Sequence, residues 1–253
     1  MLPYLAPQPL YLAGMWIHWP LLFAVLGVLA AHFLLLRRAR LTGLDVPTAA
    51  AMSLSMVLAG AAGARLFKLA YLPGVLANLD WQSMLLAGGM ASFGGLAGGL
   101  LGASLYFAAR RIPASRALDY LDALAAVFPM GWILGRTGCA LVHDHPGVAS
   151  TSPFAVAYPD LPRFDLAVIE VLFLAAFLIP LFVWLARRPQ PRGLFLSSFF
   201  VLYGAFRLWL DTLHVDPPRY AGLTVDQWAY GSMFLAGIIL AASLRPFRKE
   251  VFA

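Results

Sequence analysis

Four cationic side chains stand where a cation is expensive. Arg65, Lys68, Arg136 and Arg207 fall within, or at the ends of, long apolar stretches. An arginine in hydrocarbon costs at least ~2.5–3.5 kcal/mol on insertion scales, so several of them imply an interior polar cavity with anionic partners. The chemistry this favours is the holding of an anion. The bland alternative pairs each with a nearby acid, as Arg207 with Asp211 one helical turn later, while Lys68 reaches outward to the interface.

Other reactive types cluster around the same positions. Gly135-Arg136-Thr137-Gly138-Cys139 leads to His143-Asp144-His145-Pro146-Gly147. A His-X-His triplet with a central aspartate is a metal pattern, but no second cluster offers an obvious third ligand, so no metal and no cofactor are expected. Cys139 reads as a small packed residue, or as a thiol whose acidity a nearby cation would raise. Tyr203, Arg207 and Asp211 follow one another at i, i+4 and i+8 and share one stripe of a helix. Gly63-Ala64-Arg65-Leu66 and the Gly88 to Gly95 segment, which holds Ser92, are too rich in small residues for a helix valued for regularity. Each glycine costs about 1 kcal/mol against alanine in water. Close helix packing or backbone exposed to a ligand is the usual reason.

The elements that must position these residues are membrane helices. Of the 253 residues, 61% are hydrophobic and 12% charged, far from the quarter charged that soluble domains carry. Seven stretches are long enough to cross a bilayer, roughly 17–36, 47–67, 84–109, 118–142, 165–186, 193–213 and 225–244. The expected fold is all-α, a polytopic seven-helix bundle forming a single integral membrane domain over residues 1–253. The first sixteen residues carry no Lys or Arg, so no cleavable signal peptide is expected.

Charge orients the bundle. Arg37, Arg38 and Arg40, then Arg110, Arg111 and Arg116, then Arg187, Arg188 and Arg192, then Arg245, Arg248 and Lys249 all fall on one side. The opposite loops hold Arg163 and Arg219. The positive-inside rule then places the N-terminus outside and the C-terminus in the cytoplasm. The net charge of +6 is thus a matter of topology and anionic headgroups rather than nucleic acid. The segment from His143 to Arg163 is the one sizeable outer loop, a lid or docking arm in expectation.

In order and position these motifs resemble those of the bacterial prolipoprotein diacylglyceryl transferases. The matching pieces are Gly63-Ala64-Arg65-Leu66, Gly88 to Gly95, Pro129-Met130-Gly131 leading to Gly135-Arg136-Thr137-Gly138, Tyr203-Gly204-Ala205-Phe206-Arg207, and Gly222-Leu223-Thr224 with Gln227. The resemblance implies transfer of the diacylglyceryl group of phosphatidylglycerol to the lipobox cysteine of a prolipoprotein, releasing glycerol phosphate at the outer face of the bacterial cytoplasmic (inner) membrane. The implied partners are phosphatidylglycerol, the signal-peptide lipobox and membrane lipids.

Arg136 and Arg207 match the family's essential arginines and Arg65 a further one. Asp144 falls on a family carboxylate, Gly147 on a family glycine, Tyr203 on a family tyrosine, and Asp211 where glutamate is usual. Cys139 lies where many members have Asn, and Ser92 is counted with the substrate-binding set. Two positions depart: Phe93 replaces a histidine proposed to assist thiol deprotonation, and Pro20 stands near a family tyrosine. The base is therefore open. His143 and His145 flank Asp144, and an imidazole there suits the task; His143 is expected to act in catalysis with Asp144. The rival for these histidines is capping the helix end or solvating the loop. Two other functions compete: a degenerate phospholipid-binding protein on the same scaffold, which would bind lipid without forming product, and an ion or solute carrier, which would show flux in liposomes.

Overall fold

The computed structural model describes residues 1–12, 14–68, 91–215, 217 and 219–243. Gly88 to Met90, the Lys68 side chain and the basic residues after 243 lie outside them. The apolar stretches form seven helices: α1 Trp19–Leu41, α2 Val46–Lys68, α3 Ser92–Ala109, α4 Ala114–Val142, α5 Leu166–Leu185, α6 Leu194–Asp211 and α7 Val225–Ser243. All seven are long and apolar enough to span a membrane, and the chain is a multi-pass membrane protein. Each falls on an expected stretch. The third is described from Ser92 onward, with Ala91 extended at its N-cap.

Local chemistry sets the ends. Asp45 accepts from Thr48 N (2.8 Å) ahead of α2, and Asp165 from Val168 N (3.0 Å) ahead of α5. Pro113 caps α4, and His143 ends it in the left-handed region at φ 52°. Within α5 the turn Leu174–Leu178 is π-helical, with Ile179 N bonding Leu174 O. Pro180 follows, and a proline has no N–H to give the carbonyl four residues back, so the widened turn carries the helix past it.

Small residues draw the helices together. A Cβ on Gly63 would strike Gly94 O, and one on Gly94 would strike Phe67 Cβ and Gly63 O, so α2 and α3 touch backbone to backbone. Gly27 and Gly131 do the same for α1 and α4. Outward faces are the reverse of a soluble protein's: Phe33, Leu54, Leu58, Leu101, Leu105 and Ile239 are exposed. Such a surface belongs against lipid. One buried cluster, around Leu35, Met52, Phe107 and Tyr120, fills α1–α4. A second, around Leu174, Phe182, Phe199, Tyr203 and Tyr230, fills α4–α7.

The helical expectation holds, and the connections at one end add short strands to it. Leu10–Leu12 (β1) pairs with Met15–Ile17 (β2) before α1, Pro146–Ala149 (β3) with Arg163–Asp165 (β4) between α4 and α5, and Arg219–Tyr220 (β5) with Leu223–Thr224 (β6) between α6 and α7. All three hairpins are antiparallel. Alternating helix direction puts them at the same end, where they satisfy backbone groups that no helix accommodates. The segment after His143 is not a free arm. Leu2 N bonds Ala155 O (2.8 Å), Ala157 N bonds Leu2 O (3.0 Å), and Val148 N bonds Leu213 O (2.8 Å). The arginines at 37–40, 110–116 and 187–192 gather at the opposite end, where Arg192 Nε meets Asp119 Oδ1 at 2.5 Å.

Candidate active site

At 1.5 Å per residue, Arg136 sits roughly 9 Å inside the end of α4, Arg207 about 6 Å inside the end of α6, and Glu170 about 6 Å inside the start of α5. These ends are neighbours, so the three side chains meet. Arg136 Nε lies 2.9 Å from Glu170 Oε1, and Arg207 Nη1 donates to Glu170 Oε2 at 2.8 Å. Tyr203 OH donates to Glu170 Oε1 at 2.5 Å, and Trp132 Nε1 is 3.0 Å from the same oxygen and 2.8 Å from the Tyr203 hydroxyl. Glu170 is 0% exposed, Arg136 5% and Arg207 6%. One carboxylate therefore gathers two guanidinium groups, a phenol and an indole in a site shut off from solvent.

The outer N–H groups of the two arginines point elsewhere. Arg136 Nη2 donates to Ser92 Oγ (3.1 Å), and Arg136 Nη1 is 3.4 Å from His145 Nε2. Ser92 is placed by Ala91 N, which bonds Ala64 O at 3.0 Å and seats the start of α3 against the end of α2. That contact brings Arg65, half-buried at the next position, to the same end. Arg207 Nη2 reaches Asp226 Oδ2 at 3.4 Å, and its guanidinium lies 4.7 Å over the Tyr230 ring. Arg136 Nε, Arg207 Nε and Tyr230 OH are buried without a hydrogen-bond partner among the described residues, the 2.9 Å approach of Arg136 Nε to Glu170 being an ion pair that lacks hydrogen-bond alignment. Buried donors are rarely left so.

The pairing of Arg207 with Asp211 is replaced. Asp211 accepts from Thr224 Oγ1 (2.7 Å) and stands 3.3 Å from His214 Nδ1, tying α6 to the start of α7. Tyr203, Arg207 and Asp211 do share one buried stripe. Gly147 is packed so that a Cβ would meet Leu213 O and Leu166 Cδ2, both at 2.8 Å. Phe93 packs on Phe67 and Tyr230, with ring centroids 5.4 and 5.6 Å away, and offers no proton acceptor.

The two histidines part company. His143 Nδ1 is 2.6 Å from Asp165 Oδ2, its Nε2 accepts from Leu5 N (3.3 Å), and its ring stacks on Tyr4 at 4.9 Å. Tyr158 OH donates to the same Asp165 oxygen at 2.9 Å. Burial, then the Asp165 carboxylate, push the Tyr158 phenol well above its ordinary range. His143 thus fastens the N-terminal segment to the α4–α5 connection. His145 instead turns inward, with Nδ1 on Asp144 Oδ1 and Nε2 toward Arg136.

The fold also supplies a third partner that was not legible along the chain. Cys139, Asp144 and His145 each offer an atom within 4.8 Å of the others, as do Asp211, His214 and Asp226. Neither group suits a divalent cation. Arg136 Nη1 stands 3.4 Å from His145 Nε2, Arg207 Nη2 stands 3.4 Å from Asp226, and a guanidinium there repels a metal charge.

Glu170, Trp132 and Asp226 were missed as site residues. Glu170 had a signal: it is the one ionisable residue in Leu166–Leu185, and a carboxylate inside a span is as costly as an arginine. Trp132 and Asp226 had none, because an indole in a span and an aspartate in the first turn of a helix are ordinary.

Comparison with known proteins identifies the family. A model of the family described as prolipoprotein diacylglyceryl transferase matches residues 7–243. The phosphatidylglycerol–prolipoprotein diacylglyceryl transferase of Chromohalobacter salexigens is 28% identical over 250 residues, covering 94% of this chain and 92% of the relative. That of Methylococcus capsulatus is 28% identical over 256 residues, with 95% and 96% covered. That of Bordetella avium is 30% identical over 197 residues, with 74% and 72% covered. The matched range spans α4, α5 and α6, the helices that bring Arg136, Glu170 and Arg207 together, and the chain belongs to the prolipoprotein diacylglyceryl transferase family.

Proposed function

We propose that the chain moves the diacylglyceryl group of phosphatidylglycerol onto the lipobox cysteine thiol of a prolipoprotein and releases glycerol phosphate. The observation that carries this reading is the pair of buried guanidinium groups brought from α4 and α6 onto the one carboxylate of Glu170. Their remaining N–H groups, with Arg207 Nε and the Tyr230 hydroxyl, are the donors a phosphodiester needs. As the carbon–oxygen bond of the diacylglyceryl group breaks, the phosphate gains a second negative charge. Fixed cations in a water-poor site stabilise that charge without reorganising.

In this reading Arg136 and Arg207 hold the diester, and Arg65 adds a cation at the end of α2. Ser92 and Tyr203 fix the arginines directly and through Glu170. Asp211 and Gly147 hold the ends of α6 and β3 that frame the entrance, with Cys139 on its wall. Asp144 works at the mouth, and His143 positions the connection that carries it. The basic end of the bundle faces the cytoplasm and the hairpin end faces outward. The N-terminus is then outside and the C-terminus inside, in the bacterial inner membrane, with the site in the outer leaflet and the whole of 1–253 one membrane unit. Surrounding lipids and the lipobox segment are its partners; the arginines of its basic end serve topology rather than nucleic acid.

The test is reconstitution in phosphatidylglycerol vesicles with a lipobox peptide. Thioether-linked diacylglyceryl peptide and an equal amount of glycerol phosphate are expected. Lipid binding without either product would overturn the reading.

A further inference from the structure

A cysteine thiol with a pKa of ~8.5 is mostly protonated at neutral pH, so an attack on carbon needs a group that removes its proton. Among the described residues, the centre of the site does not supply one. Glu170 already receives both arginines, Tyr203 and Trp132, and protonating it would leave two buried guanidinium groups without their counterion. Phe93 has no lone pair to offer.

The two imidazoles at the mouth differ in what their nitrogens are doing. Leu5 N–H points at His143 Nε2, so that nitrogen must be the acceptor and Nδ1 must carry the hydrogen facing Asp165. Its lone pair is spent, and its side chain is only 8% exposed. In His145 the carboxylate of Asp144 lies against Nδ1, which therefore carries the hydrogen. That leaves the Nε2 lone pair facing the Arg136 guanidinium across a long 3.4 Å contact. The side chain is 32% exposed, within reach of a second substrate from the mouth. Arg136 gives up that contact when its N–H groups turn to a phosphate.

We infer that Asp144 and His145 form the base of the reaction, with His145 Nε2 taking the thiol proton. The inference rests on the transfer reading above. The thiol S–H breaks as hydrogen passes to Nε2, and the sulfur electron pair forms the S–C bond to the glyceryl carbon. The C–O bond to phosphorus's oxygen breaks, and its pair leaves on glycerol phosphate. The proton on His145 then passes to that phosphate, whose second pKa is ~6, and the imidazole is restored. Asp144 keeps Nδ1 protonated and steadies the imidazolium without taking the proton itself. Among the described residues, the charged and titratable groups set against the ring are Asp144 from its own connection and Arg136 and Cys139 from α4.

The experiment is the pH dependence of kcat/KM in phosphatidylglycerol vesicles with a lipobox peptide. Wild type is expected to show an acid limb. His145→Gln should lower kcat/KM at neutral pH by ~10²–10⁴-fold and remove that limb, leaving a rate that rises with the thiol's own ionisation. Added imidazole should restore His145→Ala, which a folding defect would not permit. Asp144→Asn, which removes the acceptor that fixes Nδ1, should lower kcat/KM, and His143→Gln should keep the limb. An unchanged limb in His145→Gln together with no imidazole rescue of His145→Ala overturns the inference while leaving the transfer reading intact. Loss of transfer with a chelator and its return with zinc would likewise overturn it in favour of a metal at Cys139, Asp144 and His145. No product from wild type would overturn the transfer reading, and this inference with it.

Discussion

Replacing Glu170 with glutamine keeps the side-chain volume and removes the charge that two buried cations share. Both arginines are in direct contact with it, at 2.9 and 2.8 Å, and neither has solvent to turn to. Removing one partner of a buried ion pair costs ~3–5 kcal/mol, mostly the penalty of the charge left behind. The contacts from Tyr203 and Trp132 are worth about 1 kcal/mol each, and a glutamine oxygen retains part of them. Glu170→Gln should therefore destabilise the protein by ~3–5 kcal/mol. For a chain of this size that lowers the unfolding midpoint by on the order of 10 °C. The assay is unfolding in mixed detergent micelles, run beside phosphatidylglycerol transfer, which should also collapse. Adding Arg136→Met to Glu170→Gln should recover ~1–3 kcal/mol relative to the sum of the single changes, because the two charges are coupled. A Glu170→Gln protein as stable as wild type, with additive double-variant behaviour, would refute the shared-carboxylate reasoning.

Three further outcomes are expected. Arg136→Lys replaces a planar fork by a point charge that cannot serve Glu170, Ser92 and a phosphate together; initial transfer rates should fall by ~10²-fold or more, and a near-normal rate would count against a bidentate role. Gly131→Ala places a Cβ 2.7 Å from Ala31 Cβ and against Gly27 O, so ~1–3 kcal/mol of stability should be lost through overpacking of α1 on α4, read from the same unfolding midpoint. The Tyr158 phenol is raised above its unfolded value, so its bond to Asp165 contributes fully below the ordinary tyrosine pKa of ~10 and is lost only as pH climbs through the raised value; protease resistance of the N-terminal segment should hold from pH 7 to ~10 and drop in Tyr158→Phe, whereas a loss between pH 7 and 9 would remove Tyr158 from the clasp.

Much of the fold was legible because hydrocarbon is an unforgiving solvent. A run of about twenty apolar residues has one way to satisfy its backbone, and all seven stretches became helices. The hairpins at one end were not legible, since Leu10–Leu12, Arg219–Tyr220 and their partners are too short to show alternation. Within the site, arginines in apolar runs announced themselves, and the lone carboxylate of α5 carries the same signal, but nothing along the chain pairs it with them. His143 and His145 look alike along the chain. Their difference arises from Leu5, Asp165 and Arg136, residues that only the folded structure brings to them.

The claim on which everything else depends is that the guanidinium groups of Arg136 and Arg207 grip one phosphate together. Solid-state NMR coupling between lipid phosphorus and nitrogen-labelled arginine, in phosphatidylglycerol vesicles without peptide, measures that contact directly. The account predicts couplings characteristic of charge-assisted N–H···O contact, ~2.7–2.9 Å, with a single phosphate, each disappearing when its arginine is changed to glutamine. Phosphorus coupled only to the arginines at the basic end, or couplings unchanged in Arg136→Gln and Arg207→Gln, would contradict it.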